Sequence, residues 1–179
     1  MANAVLIVDM VRGFLEPGHA LYCGDASRAV IEPIREVAER EIKLGGHVLF
    51  LCDNHAPEDL EFQIFPPHCI RGTEETEVIR ELRDLPGEII PKRRYSAFYG
   101  TALGERLEQL TPERLIIVGV CTDICVLYSA SDARNRDYAV DVPETCVASF
   151  DAAAHLNALV HMEQILGVRV LRREKAAQA

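Results

Sequence analysis

The stretch "RLIIVGVCTDICVLYSA" (residues 114–130) passes from a continuously apolar segment through a short polar turn into a segment of helical period. An apolar run without alternation fits a strand covered on both faces, as in a parallel sheet with helices packed on each side. "GV" (119–120) closes the strand, Thr122 or Asp123 can cap the next segment, and Cys125 then falls in the first turn of a helix. Strand, tight turn and helix in that order make one βα unit, which is stable only beside others of its kind.

The other units lie on both sides of it. Apolar runs recur at "AVLIVD" (4–9), "HVLFLC" (47–52), "EIIP" (88–91), "YAVDV" (138–142) and "VRVL" (168–171). Helical spacing between them predicts helices over 26–43, 74–84, 101–110, 124–136 and 151–166, with Asp25 or Ser27 capping the first and Asp151 the last. The alternation predicts an α/β fold: one domain over 1–179, with a doubly wound, mostly parallel six-stranded sheet and helices on both faces. A chain of 179 residues, 49% of them hydrophobic, can fill one such core, and no repeat or linker divides it.

A net charge of −9 argues against a nucleic acid or an anionic membrane as partner, since both repel an acidic surface. No apolar stretch is long enough to cross a bilayer. "MANAVLIVDM" has no basic region or cleavage site and carries Asp9 within its apolar run, so it reads as a buried strand and not a secretion signal. A cytoplasmic location is the expectation, and with it reduced thiols at all six cysteines. Homo-oligomerisation is left open.

In open α/β sheets, ligands sit beyond the carboxyl ends of the strands. Ionisable residues occupy those ends here: Asp9 after the first strand, Asp53 and His55 after the second, Lys92 after the third, and the "CTDIC" turn after the fourth. A thiol at Cys125 would meet unpaired backbone N–H groups at a helix start, which favour thiolate, and an ammonium at Lys92 would favour it further. Asp9 can take the thiol proton and return it to a leaving group. Taken singly, Cys125 can equally be core packing, and Asp9 and Lys92 a salt bridge at the sheet edge. Cys121 reads as packing. A disulfide to Cys125 does not suit a reducing compartment.

The long segment "CDNHAPEDLEFQIFPPHCIRGT" (52–73) carries Asp53, His55 and His68 beside acidic residues, with Leu60, Phe62, Ile64 and Phe65 as expected apolar anchors. Asp53 and His55, two apart in extended chain, project to one side, and the prolines before His68 can hold it opposite. Two imidazoles and a carboxylate suit one divalent metal, Zn²⁺ first, with Fe²⁺ or Mn²⁺ as alternatives. Glu58 or Glu61 could add a ligand. The spacing alone also allows a solvated polar loop.

Together, "LIVDMVRGF" (6–14), "DNH" (53–55), "FPPHCIRGT" (65–73), "PKRRYSAFYGTAL" (91–103), "GVCTDICVLYSASDA" (119–133) and "VPETCVAS" (142–149) resemble the isochorismatase-like cysteine hydrolases, and among them the nicotinamidases. The resemblance covers nearly the whole chain. It implies a catalytic triad of Asp9, Lys92 and Cys125, with Cys125 as nucleophile and backbone N–H groups of Cys121 and Cys125 around an oxyanion. It implies metal ligands at Asp53, His55 and His68, ring-binding aromatics at Phe14, Phe65 and Tyr95, and a cis peptide at Val120–Cys121. The chain departs from nicotinamidases where Phe65 replaces a usual Trp and Cys121 a usual Ala, where Ile124 stands for an aromatic or His, and in a shorter metal loop.

The expected activity is a metal-containing cysteine amidohydrolase converting a small-molecule amide, nicotinamide, to nicotinate and ammonia through a thioester, a reaction of pyridine nucleotide salvage. A second reading keeps the triad and changes the substrate to another small amide or carbamoyl compound. Isochorismatase activity fits less well, because vinyl-ether hydrolysis needs no thiol. A third reading, a noncatalytic binding or redox-sensing protein, leaves Asp9, Lys92 and Cys125 without a joint purpose.

Overall fold

The structure is a computed structural model and describes residues 2–172. In chain order the elements are β1 (Ala4–Val8), α1 (Arg12–Leu15), α2 (Asp25–Arg28), α3 (Ile31–Lys43), β2 (His47–Asp53), β3 (Glu88–Lys92), α4 (Leu103–Leu110), β4 (Leu115–Val120), a π-helical turn (Thr122–Val126), α5 (Leu127–Arg134), β5 (Val140–Pro143), β6 (Val147–Ala148), α6 (Ala152–Gln164) and β7 (Arg169–Leu171). The strands form one sheet in the order β3-β2-β1-β4-β5-β7, with β6 also pairing to β4, and every pairing is parallel.

The unbroken apolar runs do what their pattern requires. Alternate residues of β1 enter two separate cores: Val5 and Ile7 pack with α3 on one face, and Ala4, Leu6 and Val8 with α4, α5 and α6 on the other. β2 and β4 divide in the same way, with Phe50 and Val118 on the α3 side and Leu49 and Ile117 opposite. Each fully buried Leu or Ile contributes about 1.5–3 kcal/mol relative to exposure. Strands covered on both faces collect many such side chains.

The chain winds outward from the centre in two directions, β1 to β2 to β3 on one side and β4 to β5 to β7 on the other. The crevice at the carboxyl ends of β1 and β4 is therefore the switch point at which such folds bind ligands. Gly119 is required there. Its φ is +114°, and a Cβ on it would lie 2.0 Å from the carbonyl oxygen of Val8.

Several expectations are corrected. The sheet has seven strands, because β6 adds to the six apolar runs seen in the sequence. The segment 74–84 is not a helix: Glu74–Thr76 forms a single 3₁₀ turn, Val78 bridges Val11, and Ile79 N–H donates to Met10 O. Val78, Ile79, Leu82 and Leu85 are buried at helix-like spacing, but residues 77–79 bond to 10–12, and Leu82 and Leu85 N–H make only local turn bonds to Ile79 O and Leu82 O. The helix expected over 26–43 breaks into α2 and α3, since Pro33 has no N–H for the Ala29 carbonyl and its ring crowds that oxygen. Neither Asp25 nor Ser27 caps it: Gly24 takes the cap position, Ser27 Oγ–H donates to Cys23 O, and Asp25 accepts from Tyr22. Asp151 does cap α6, accepting from Ala154 N–H at 2.8 Å. Leu60 and Ile64 are 69% and 74% exposed, so only Phe62 and Phe65 of the four expected anchors turn inward. Met1 and 173–179 of the expected 1–179 domain lie outside the described residues.

Candidate active site

Asp9 comes directly after β1 with φ +52°, a left-handed conformation that Asp tolerates better than most residues. Its N–H donates to Leu51 O, and its Oδ1 accepts from Asp53 N–H at 2.9 Å. β3 pairs Lys92 beside Asp53 at the end of β2. These registers converge the strand ends on one ammonium. Lys92 Nζ lies 2.8 Å from Asp9 Oδ2, 2.5 Å from Asp53 Oδ1 and 3.4 Å from Cys125 Sγ. All four side chains are buried.

Burial first, and then the charge of Asp53, push the Asp9 carboxyl up to about 7 despite the opposing pull of Lys92. Asp53 falls to about 2, because Lys92 and His55 outweigh the effect of burial. Burial alone would lower Lys92, but Asp53, Asp9 and Cys125 hold it above its ordinary value. The Cys125 thiol is raised well above the usual cysteine range by burial, with Lys92 opposing and Asp9 reinforcing. Cys125 lies in the π-helical turn, which runs directly into α5, so it sits near the start of that helical segment. Two carboxylates already face one ammonium, and a buried thiolate would add a further negative charge. Asp9 and Cys125 stand side by side around Lys92.

The Val120–Cys121 peptide is cis. Neither Thr122 nor Asp123 caps the π-helical turn; Cys121 occupies that position, and its carbonyl accepts from both Ile124 and Val126 N–H at 3.1 Å. Cys121 Sγ is 3.7 Å from Cys23 Sγ, and both thiols are buried and free.

The second cluster adjoins the first through Asp53. Asp53 Oδ2 is 3.6 Å from His55 Nε2 and 3.8 Å from His68 Nε2, while Glu61 Oε1 lies 3.9 and 3.8 Å from the same two nitrogens. A short parallel bridge between His55 and Ile70 draws the two ends of the loop together. His68 Nδ1–H donates to Pro66 O at 2.8 Å, which leaves Nε2 as the lone-pair nitrogen. His55 Nε2 is buried with no hydrogen-bond partner. Donors bound to one ion at about 2.0–2.2 Å stand roughly 3–3.5 Å apart. An orphaned imidazole nitrogen in this donor set therefore fits a divalent metal. Glu58 is exposed and outside the cluster, so the alternative ligand named from sequence is Glu61. Asp9, Asp53 and Cys125 also lie close together, but Lys92 already holds the cationic place among them.

The two clusters open on one cleft. Phe14, Phe65 and Tyr95 line it as expected, with Asp9, Asp53, Glu61, His68, Cys121 and Cys125 on its walls. Leu21, Ile124 and Phe150 complete the apolar lining. Sequence reading did not single out Leu21 or Phe150 because nothing local marks a loop residue that reaches a distant strand end.

The isochorismatase domain matches residues 3–174. The chain belongs to the isochorismatase family. It is a hydrolase of amide C–N bonds, like the nicotinamidases it resembles. It is similar to the nicotinamidase PncA from Bacillus subtilis, 33% identical with a TM-score of 0.86 over 95% of this chain and 99% of that one. N-carbamoylsarcosine amidase from Thermoplasma acidophilum is 31% identical with a TM-score of 0.87, covering 99% of both chains. The pyrazinamidase of Pyrococcus horikoshii, solved in complex with zinc, is 27% identical with a TM-score of 0.88 over 97% of this chain and 100% of that one. No helix among the described residues is long and apolar enough to cross a membrane.

Proposed function

We propose that this amidohydrolase converts nicotinamide to nicotinate and ammonia in the cytoplasm, as part of pyridine nucleotide salvage. One observation carries the reading: Asp53 turns one oxygen to the ammonium beside Cys125 and the other to the imidazole pair. A ligand in the cleft can thus meet the nucleophile and a nitrogen-binding site together.

Phe14, Phe65 and Tyr95 hold the flat ring. Cys125 Sγ adds to the carboxamide carbon while its proton passes to Asp9, and the backbone N–H groups of Cys121 and Cys125 receive the oxyanion. Lys92 stabilises the sulfur as negative charge develops. As the C–N bond breaks, Asp9 gives its proton to the leaving nitrogen and ammonia departs, leaving a thioester. Asp9 then takes a proton from water, the hydroxide adds to the thioester carbon, and the C–S bond breaks. The proton on Asp9 returns to Cys125, and nicotinate is released. Asp53, His55 and His68, with Glu61 beside them, would hold the divalent ion, Zn²⁺ first and Fe²⁺ or Mn²⁺ also suited to the donors. When bound, the ion supplies a Lewis-acid anchor for the ring nitrogen.

A carbamoyl compound is the second reading, favoured by the near-complete overlap with the Thermoplasma amidase. Ammonia release from purified protein decides between them. Turnover of nicotinamide well above that of N-carbamoylsarcosine supports the first reading, and the reverse order replaces it with the second.

A further inference from the structure

We propose that Asp59 and Arg94 are positioning residues that hold His55 with its Nε2 lone pair toward the metal, a role that rests on the metal-binding reading above. Asp59 has a side chain only 3% exposed, and its Oδ2 lies 3.2 Å from His55 Nδ1. A carboxylate only accepts, so Nδ1 carries the proton and Nε2 keeps its lone pair. That is the nitrogen buried without a hydrogen-bond partner and aimed at Asp53 and Glu61.

A buried carboxylate is expensive unless it is paired or used. Asp59 is paired through one nitrogen: Arg94 Nη1 reaches Oδ1 at 2.8 Å and Oδ2 at 3.0 Å. Asp59 Oδ1 also accepts from Glu61 N–H at 3.0 Å. One carboxylate therefore sets both an imidazole and the start of the turn that carries Glu61. Asp59 does not line the cleft, nor does it touch Lys92 or Cys125. At His68 the same orienting work falls to a backbone carbonyl, from Pro66. The two imidazoles are thus fixed by different means, and only the one at His55 is open to change by substitution.

Metal ligands are commonly oriented by such outer partners, and losing one typically weakens metal binding about 10–100-fold. The test needs no turnover. Zinc affinity of the metal-free protein is measured in competition with a chromophoric chelator, and the circular dichroism spectrum reports whether the fold is intact. Asp59→Asn should weaken zinc binding about 10–100-fold with the circular dichroism spectrum unchanged. Arg94→Met should weaken it in the same direction, Arg94→Lys should restore most of the loss, and the double variant should be no worse than Asp59→Asn alone. Because Arg94 is partly exposed, Arg94→Met remains informative if Asp59→Asn does not fold. Zinc affinity within twofold of the parent in Asp59→Asn, or in Arg94→Met where that variant stands in, overturns the proposal. A parent protein that binds no zinc overturns the metal reading as well, so the two failures differ.

Discussion

Lys92 Nζ and Asp53 Oδ1 lie 2.5 Å apart, and the second oxygen of the same carboxylate faces His55 and His68. One side chain thus joins the nucleophile's cation to the nitrogen-rich cluster. In the proposed reaction, chemistry and substrate anchoring would share a single wall of the cleft.

Cys125→Ala should lower ammonia release by about 10⁴-fold or more, the scale seen when a nucleophile that acts as part of a unit is lost. Cys121→Ala should keep most of the rate, because only the backbone N–H of Cys121 is needed. Substantial hydrolysis by Cys125→Ala would refute the thioester mechanism.

Nicotinamide should be hydrolysed far faster than benzamide by the metal-loaded enzyme, since benzamide keeps the ring and loses its nitrogen. Chelation should abolish most nicotinamide turnover while leaving the circular dichroism spectrum unchanged. Equal rates for the two amides, or full activity after chelation, would move the reading to another small amide.

Burial raises the thiol of Cys146, as it does that of Cys125. The unfolded chain loses these protons near the ordinary cysteine value while the folded chain retains them. Stability is then fully present below that value and falls as pH rises toward the folded one. Each retained thiol proton contributes a slope of about 1.4 kcal/mol per pH unit in that window. Urea unfolding at pH values rising above the ordinary cysteine range should show the decline, and Cys146→Ala should make it shallower. An unchanged slope in Cys146→Ala would show that this thiol does not contribute.

Gly119→Ala should destabilise the fold by more than about 2 kcal/mol, because the added methyl meets the Val8 carbonyl and the residue must keep a positive φ. Urea midpoints measure it. A midpoint matching the parent would mean that β1 and β4 can separate at their carboxyl ends without cost.

The sheet was legible because its central strands are apolar at every position, and Asp9, Lys92 and Cys125 because each comes at or just after the end of such a run. β6 was not: two residues carry no period, and Val147 and Ala148 form a strand only because Gly119 and Val120 pair with them. The apolar spacing over 78–85 suggested a helix, yet those side chains serve as separate anchors under bonds from Met10. Asp53, His55 and His68 could be grouped from spacing. Asp59 could not, since its burial depends on Arg94 arriving from the end of another strand.

Asp9 stands in a left-handed turn, and after glycine the side chains most at ease there are Asp and Asn. Asn is therefore a substitution that the backbone accommodates at this position. Asp9→Asn matches the shape of the carboxylate and can still accept the Asp53 N–H, but it cannot take up the thiol proton. Under the proposed mechanism Asp9→Asn should fold and hold its amide without turnover, a decoy suited to fishing the natural substrate out of a metabolite mixture.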